Sequence, residues 1–277
     1  MTTIAKERID VLLVERGFFE SREKAKAALM AGLVLVNEEP IDKSGMKVAR
    51  DADIKVKGAI HPYVSRGGLK LEKAIKTFGI ELNGCVMIDI GASTGGFTDC
   101  ALQNGVSYVY AIDVGYNQLD WSLRQDERVN VMERTNFRYM QPGDLVGPEP
   151  SFASIDVSFI SLKLILPTLA TLLSPGAGIV ALIKPQFEAG RERVGKSGVV
   201  REPSVHKEVI HNVLAMAAEL GYSLQNLTFS PITGGEGNIE FLAYWQWSGV
   251  AGAAIPVDVD VDGLVTQANS TFSSGKK

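Results

Sequence analysis

The chain has 277 residues, 45% hydrophobic and 22% charged, with a net charge of −4 and two cysteines. That mix argues against a wholly disordered chain. Two cysteines without a CxxC spacing argue against a disulfide framework or a cysteine-rich zinc site, and they fit a reducing cytoplasm. The net charge hides a polarity. Residues 1–70 hold 13 Lys and Arg against 10 Asp and Glu, and the remaining 207 hold 15 against 22. Affinity for a polyanion follows local clustering rather than the total.

In chain order, the start MTTIAKERID lacks the apolar core of a signal peptide. Arg8–Leu13 opens a helical pattern that stops at Gly17. Ser21 reads as the N-cap of a second helix to Met30, with Gly32 as its stop. Leu33–Asn37 is a β-type run, Glu38-Glu39-Pro40 a turn, and short strands follow at 46–48 and 53–56. The expectation for residues 1–59 is two helices on a small antiparallel sheet.

This segment resembles the S4 RNA-binding domain, through Arg8, Asp10, Leu13, Ser21, Arg22, Ala25, Leu29, Gly32, Val34, Val36 and Asn37. The resemblance implies structured RNA as partner, with Arg8, Ser21, Arg22, Lys24 and Lys26 as contacts. Phosphate binding needs basic groups on one exposed face. Without the motif, the same alternation of Arg, Glu and Lys also reads as a solvated helix face.

Residues 60–66 read as a linker. Beyond it, from 67 to 248, apolar strands alternate with helices. Strands are expected at 85–90, 108–113, 129–133, 152–157, 178–184 and 239–245, and helices at 69–78, 97–104, 160–173 and 204–220. Alternation of this kind means a mostly parallel, doubly wound sheet. The run Leu164–Ile183 has twenty uncharged residues, but Ser174-Pro175-Gly176-Ala177-Gly178 makes a turn inside it, which argues against a membrane span. His206 and His211, five apart, miss the spacing of a helical metal site, and no metal is expected. Residues 249–277 read as a flexible tail.

The loop Asp89-Ile90-Gly91-Ala92-Ser93-Thr94-Gly95-Gly96-Phe97 follows the first strand of this region and enters a helix. Its glycines permit a tight turn and close approach of a ligand to the backbone. It lacks both the GxGxxG spacing of dinucleotide folds and the GK[ST] ending of a phosphate loop. Asp113, 22 residues after Gly91 at the end of the next strand, is placed to accept ribose hydroxyls. The pair suggests a nucleoside cofactor without a pyrophosphate, and S-adenosylmethionine fits. A plain strand–turn–helix with a helix cap is the alternative.

Four charged residues border apolar strands or open a helix: Lys70, Asp156, Lys184 and Glu240. Charged groups at the carboxyl ends of such strands face the active-site crevice. Methylating a ribose 2′-hydroxyl requires its proton to be removed and its oxygen held in line with the methyl group. Lys184 is the expected activating lysine and Lys70 its electrostatic partner. Asp156 and Glu240 are expected to orient them, with Asp156 also near a sulfonium. Phe187, Arg191, Arg193 and Lys196 form a glycine-punctuated basic loop, read either as closing over RNA or as a surface loop.

These four residues, with Ser65-Arg66-Gly67-Gly68-Leu69-Lys70-Leu71, the 89–97 loop and Gly195-Lys196-Ser197-Gly198-Val199-Val200-Arg201, resemble the TlyA family within the FtsJ-like ribose methyltransferases, also called hemolysin A. The resemblance spans residues 6–247. It implies an α/β, Rossmann-like S-adenosylmethionine-dependent methyltransferase sheet with a small α+β S4 domain. It also implies cytidine 2′-O-methylation of ribosomal RNA, with ribosomal subunits as partners, and Arg66 is a further candidate RNA contact. A non-catalytic RNA-docking scaffold and a pore-forming hemolysin are the competing readings. The complete charged set argues against the first; Pro167 and the turn at 174–178 argue against the second.

Overall fold

The structure is a computed structural model that describes residues 6–19, 21–30, 32–56, 61–252 and 259–273, with only the backbone of Ala27. The chain divides into two compact units, Met1–Pro62 and Tyr63–Lys277. Of the expected linker, residue 60 lies outside the described residues. Tyr63–Arg66 do not act as a linker. Tyr63 is buried with Leu71, Phe97 and Ala101, and the Val64 N–H donates to the Asp99 carboxylate at 2.7 Å.

In the first unit, β1 (Lys6–Arg8) runs into α1 (Ile9–Glu15), followed by α2 (Arg22–Met30), β2 (Val34–Val36), β3 (Glu39–Pro40), β4 (Lys47–Ala49) and β5 (Ile54–Val56). The two helices pack on two small antiparallel sheets rather than one, β1–β4 and β3–β2–β5. Ile9, Leu12 and Leu13 of α1 meet Ala25 and Leu29 of α2 over Val34 and Ile54. The helical spacing of these residues puts them on one face, and burying each large one contributes about 1.5–3 kcal/mol. Ser21 caps α2, as its position suggests, by accepting the Lys24 N–H at 3.3 Å.

In the second unit, α3 (Gly68–Phe78) precedes β6 (Val86–Ile90), α4 (Gly96–Gln103), β7 (Tyr108–Ile112), α5 (Trp121–Arg124), β8 (Val129–Met132) and β9 (Phe152–Ile155). Then come α6 (Leu166–Ala170), β10 (Gly178–Ile183), α7 (Pro185–Glu188), α8 (Pro203–Glu219), β11 (Tyr222–Phe229), β12 (Phe241–Trp247) and α9 (Val261–Ser273). One seven-stranded sheet has the order β11-β12-β10-β9-β6-β7-β8. β10, β9, β6, β7 and β8 are parallel; β12 runs antiparallel beside β10, and the edge strand β11, antiparallel to β12, runs in the same direction as those five. The chain builds outward from β6 through β7 to β8, then returns to β6's other side with β9. Strand order therefore reverses between β6 and β9, and a ligand crevice opens beyond the carboxyl ends at such a point.

Three expectations change. The helix expected at 160–173 is a 3-10 turn at Leu162–Leu164 and a five-residue α6 whose first turn holds Pro167. Strand β11 was not expected, because its sequence YSLQNLTF breaks the apolar run and a bulge falls between Leu224 and Asn226. The expected tail contains α9, which buries Val261, Val265 and Ala268 and packs along α8 and β11. Lys207 pairs with Asp262 at 2.6 Å, and the Phe272 ring lies 6.1 Å from that of Phe229. Among the described residues no helix is long and apolar enough to cross a membrane.

Because α9 is packed rather than loose, Val265→Asp should destabilise the fold by more than about 2 kcal/mol, the cost of an unpaired buried charge. A thermal melt checks this; an unchanged transition would mean that residues 259–273 are not part of the core.

Candidate active site

Strands β6, β9 and β10 end side by side, and their first residues beyond the sheet meet there. Gly91 follows β6 with φ +85°, and a Cβ on it would sit 2.6 Å from the Asp156 carbonyl oxygen. No larger residue fits that approach. Asp156 follows β9, and its N–H donates to Ile90 O at 3.0 Å. Lys184 follows β10. β12 runs antiparallel to β10 with Ile183 opposite Phe241, so Glu240, just before β12, comes to the same end of the sheet as Lys184. Lys70 arrives from the first turn of α3, which packs against α4 and β12.

The four side chains form an alternating chain of charges. Lys70 Nζ lies 2.8 Å from Glu240 Oε2 and 3.2 Å from Asp156 Oδ2, and Lys184 Nζ lies 2.6 Å from Asp156 Oδ1. Lys70 and Lys184 are each 7% exposed and Glu240 2%. Burying one such charge alone costs several kcal/mol, and the alternation of sign offsets that cost. Burial works to lower the Lys70 pKa, but the attraction of Asp156 and Glu240 outweighs it and raises the pKa above the usual lysine value. Burial likewise pushes the Asp156 carboxyl up, and the two lysines more than reverse this, leaving it below the ordinary value. Lys70 is thus held between two carboxylates. Lys184 ends the chain, with one carboxylate and the Ser158 hydroxyl at 3.3 Å.

A cleft of about 1170 Å³ opens beside this chain, lined among others by Gly91, Ser93, Phe97, Arg66, Phe159 and Arg191. That volume exceeds what one small ligand needs and leaves space for a cofactor together with a nucleotide. Of the expected cofactor residues, Gly91, Ser93, Gly96 and Phe97 line the cleft. Asp113 follows β7 and holds the loop by accepting the Ser93 N–H at 2.8 Å and the Gly115 N–H at 2.7 Å. Thr94 and Gly95 shape the loop from behind: Thr94 O accepts the Asp120 N–H at 3.0 Å, and Gly95 packs toward Leu119 and Leu123.

Asp89 departs from its expected role as a cofactor contact. It is fully buried, and its oxygens accept the Thr98 and Ser154 hydroxyls, each at 2.7 Å. It braces β6, α4 and β9 from beneath the loop. Burial raises its pKa to about 6; the two hydroxyl bonds oppose this, and nearby Asp156 adds to it.

Several neighbours carry no motif of their own. Gln186 donates to Glu240 Oε1 at 3.2 Å. Asn238 is buried and ties two loops together, accepting the Val200 N–H at 3.1 Å and donating to Gly198 O at 2.9 Å and Gly235 O at 3.0 Å. Phe159 is 91% exposed with φ +64°, its ring 5.2 Å from that of Phe187. Gln186 and Phe187 follow Lys184 directly, and Ser158 and Phe159 follow Asp156 closely, so proximity to the charged set was the available signal. In the basic loop, Arg191 and Lys196 line the cleft, whereas Arg193 pairs with Glu208.

In the first unit, Arg8 and Arg22 converge on the buried Asp10 carboxylate at 2.9 and 2.8 Å. The Arg8 hydrogen bond, joined by Arg22, holds this carboxyl well below the usual range against the effect of burial. Two guanidiniums thereby share one carboxylate and keep an excess positive charge at the surface. Lys24 is exposed and Lys26 half-buried on the same helix. The Ser21 hydroxyl accepts the Lys24 N–H in the helix cap. Arg66 belongs to the second unit and lies at the cleft.

For Asp89 the sign of the pH dependence is fixed. Its folded pKa of about 6 exceeds the ordinary 3.8, so the folded state holds the proton longer and stability from this group falls as pH rises from about 4 to about 6. Asp89→Asn removes that step. The melting-temperature advantage of the unsubstituted protein over this variant should shrink from pH 4 to pH 7; a constant difference would contradict the assignment.

Residues 63–247 match the family model of the FtsJ-like methyltransferase, and residues 7–54 match the S4 domain. The chain is 58% identical to YqxC of Bacillus subtilis, over 99% of this chain and 98% of that one. It is 41% identical to the 16S/23S rRNA (cytidine-2′-O)-methyltransferase TlyA of Mycobacterium tuberculosis, over 87% of this chain and 89% of that one. A solved structure from Streptococcus thermophilus covers 99% of each chain at 52% identity, with a TM-score of 0.78. The chain belongs to the FtsJ-like methyltransferase family and carries an N-terminal S4 domain.

Proposed function

We propose that this protein transfers a methyl group from S-adenosylmethionine to the 2′-hydroxyl of a cytidine ribose in ribosomal RNA, with ribosomal subunits as the physiological substrate in the cytoplasm. The observation that carries this reading is the buried sequence Glu240–Lys70–Asp156–Lys184 opening on the cleft. Support for the RNA class and the cytidine comes from the S4 domain and from the name of the Mycobacterium tuberculosis relative.

The cofactor fits on the chemistry of the loop: backbone at Gly91–Gly96 without bulky side chains, and the Asp113 carboxylate at the end of β7 for ribose hydroxyls. When bound, S-adenosylmethionine supplies an electrophilic methyl carried on a sulfonium. The protein's own residues do the rest. Lys184 Nζ is placed to hold the 2′-hydroxyl and, in its unprotonated form, to take that proton as the oxygen gains the methyl. Lys70, kept protonated by its two carboxylates, stabilises charge developing on that oxygen. Asp156 fixes both amines and lends negative charge to the methyl donor's end of the cleft. Arg66, Arg138, Arg191 and Lys196 line the cleft and suit the phosphates of the bound strand. The exposed Phe159 ring offers a face on which an extruded base stacks.

Lys184→Ala should lower methyl transfer to ribosomal subunits by at least about 100-fold, as expected for loss of a proton acceptor, while cofactor affinity by calorimetry stays the same. Radiolabelled S-adenosylmethionine reads the first and titration the second. Undiminished transfer would overturn the role given to Lys184.

A further inference from the structure

Phe159 combines two unfavourable features. It is a bulky aromatic residue in strained left-handed backbone, and its ring stands 91% exposed. Such a residue persists only where its surroundings over-determine it. On its N-terminal side the chain is pinned through Asp156, held by two lysines, and through Ser158, whose hydroxyl accepts from Lys184. On its C-terminal side Leu162 is buried in the core, and one further side chain, Glu188, ties down the residues between. Glu188 Oε2 accepts the Ser161 hydroxyl at 2.6 Å, and Oε1 accepts the Leu162 N–H at 2.8 Å.

Glu188 is the last residue of α7, directly after Phe187, whose ring faces Phe159. Burial raises its carboxyl pKa, and the Ser161 and Leu162 bonds only partly oppose this. Among the described residues no lysine or arginine forms an ion pair with it. Both oxygens are spent on the segment that carries Phe159. A half-buried carboxylate with no cation beside it among the described residues, and with both oxygens on one short segment, holds that segment.

We propose that Glu188 is a positioning residue for the target nucleotide: it clamps residues 158–162 so that Phe159 stands in the cleft as a preformed stacking face. This rests on the reading of the cleft as an RNA 2′-O-methylation site. Glu188 touches neither the reacting oxygen nor the charged chain, so it acts through Phe159.

The test is a double-substitution cycle on the full-length protein, measuring kcat/KM for methyl transfer to ribosomal subunits, with cofactor affinity and melting temperature as controls. Glu188→Leu should lower kcat/KM by about 10- to 100-fold, the size of effect produced by misplacing a substrate group, at unchanged cofactor affinity. Glu188→Gln should stay within about threefold, because an amide can accept from Leu162 N–H and donate to the Ser161 hydroxyl. With Phe159→Ala already present, Glu188→Leu should cost less than about twofold more, since the two act as one unit. A full-sized further loss in that background, or no loss from Glu188→Leu alone, would overturn the proposal. If Glu188→Leu does not fold, Ser161→Ala removes the same bond from the other side and must show the same dependence on Phe159. Failure of the unsubstituted protein to methylate RNA would sink the functional reading instead.

Discussion

One carboxylate, Asp156, is shared by two buried lysines, and the catalytic unit is arranged around that sharing. An amine at 7% exposure needs an opposite charge beside it to offset the cost of burying its ammonium form. Asp156 balances Lys184 wholly and Lys70 in part, and Glu240 completes Lys70. With both amines protonated the charges sum to zero, which offsets the cost of burying them, yet the two lysines differ in their surroundings. The Lys70 end is closed by two carboxylates and the Lys184 end is open to the cleft. That asymmetry sets Lys70, held between two carboxylates, apart from Lys184, which faces the cleft.

The fold delivers this constellation by strand order. Parallel strands β6, β9 and β10 lie adjacent, so the loop at Gly91, Asp156 and Lys184 emerge at one end of the sheet. The antiparallel β12 turns an incoming residue, Glu240, to that same end. α3 adds Lys70, and its seating explains why the segment before it is packed: Tyr63 covers Gly68, and Ser65 sits against Gly96 at the start of α4. The 91–96 loop and the helix that carries Lys70 are therefore fixed by one another.

The sheet was legible because its parallel strands are short apolar runs between helices, and the four charged residues because they border such runs. What escaped lacked that contrast. β11 interrupts its apolar pattern with Gln225 and Asn226, which face outward. α9 holds only a few apolar residues among small and polar ones, and its burial depends on α8 and β11 being present. Asp89 was misjudged because sequence adjacency to the glycine loop says nothing about which way a carboxylate turns; Thr98 and Ser154 draw it inward. Ser158, Gln186, Glu188 and Asn238 act by hydrogen bonds across the sheet, and no spacing along the chain encodes those. In the S4 unit the basic residues were legible, but the clamp of Arg8 and Arg22 on Asp10 was not.

On the proposed function, the buried charges prepare a ribose hydroxyl, not a base atom, for methylation. Two otherwise identical ribosomal RNA substrates distinguish these, one with the target cytidine intact and one with its 2′-hydroxyl replaced by hydrogen. Methyl transfer is expected to the first and none to the second. Equal transfer to both would place the methyl on the base and contradict the role assigned to Lys70, Asp156, Lys184 and Glu240.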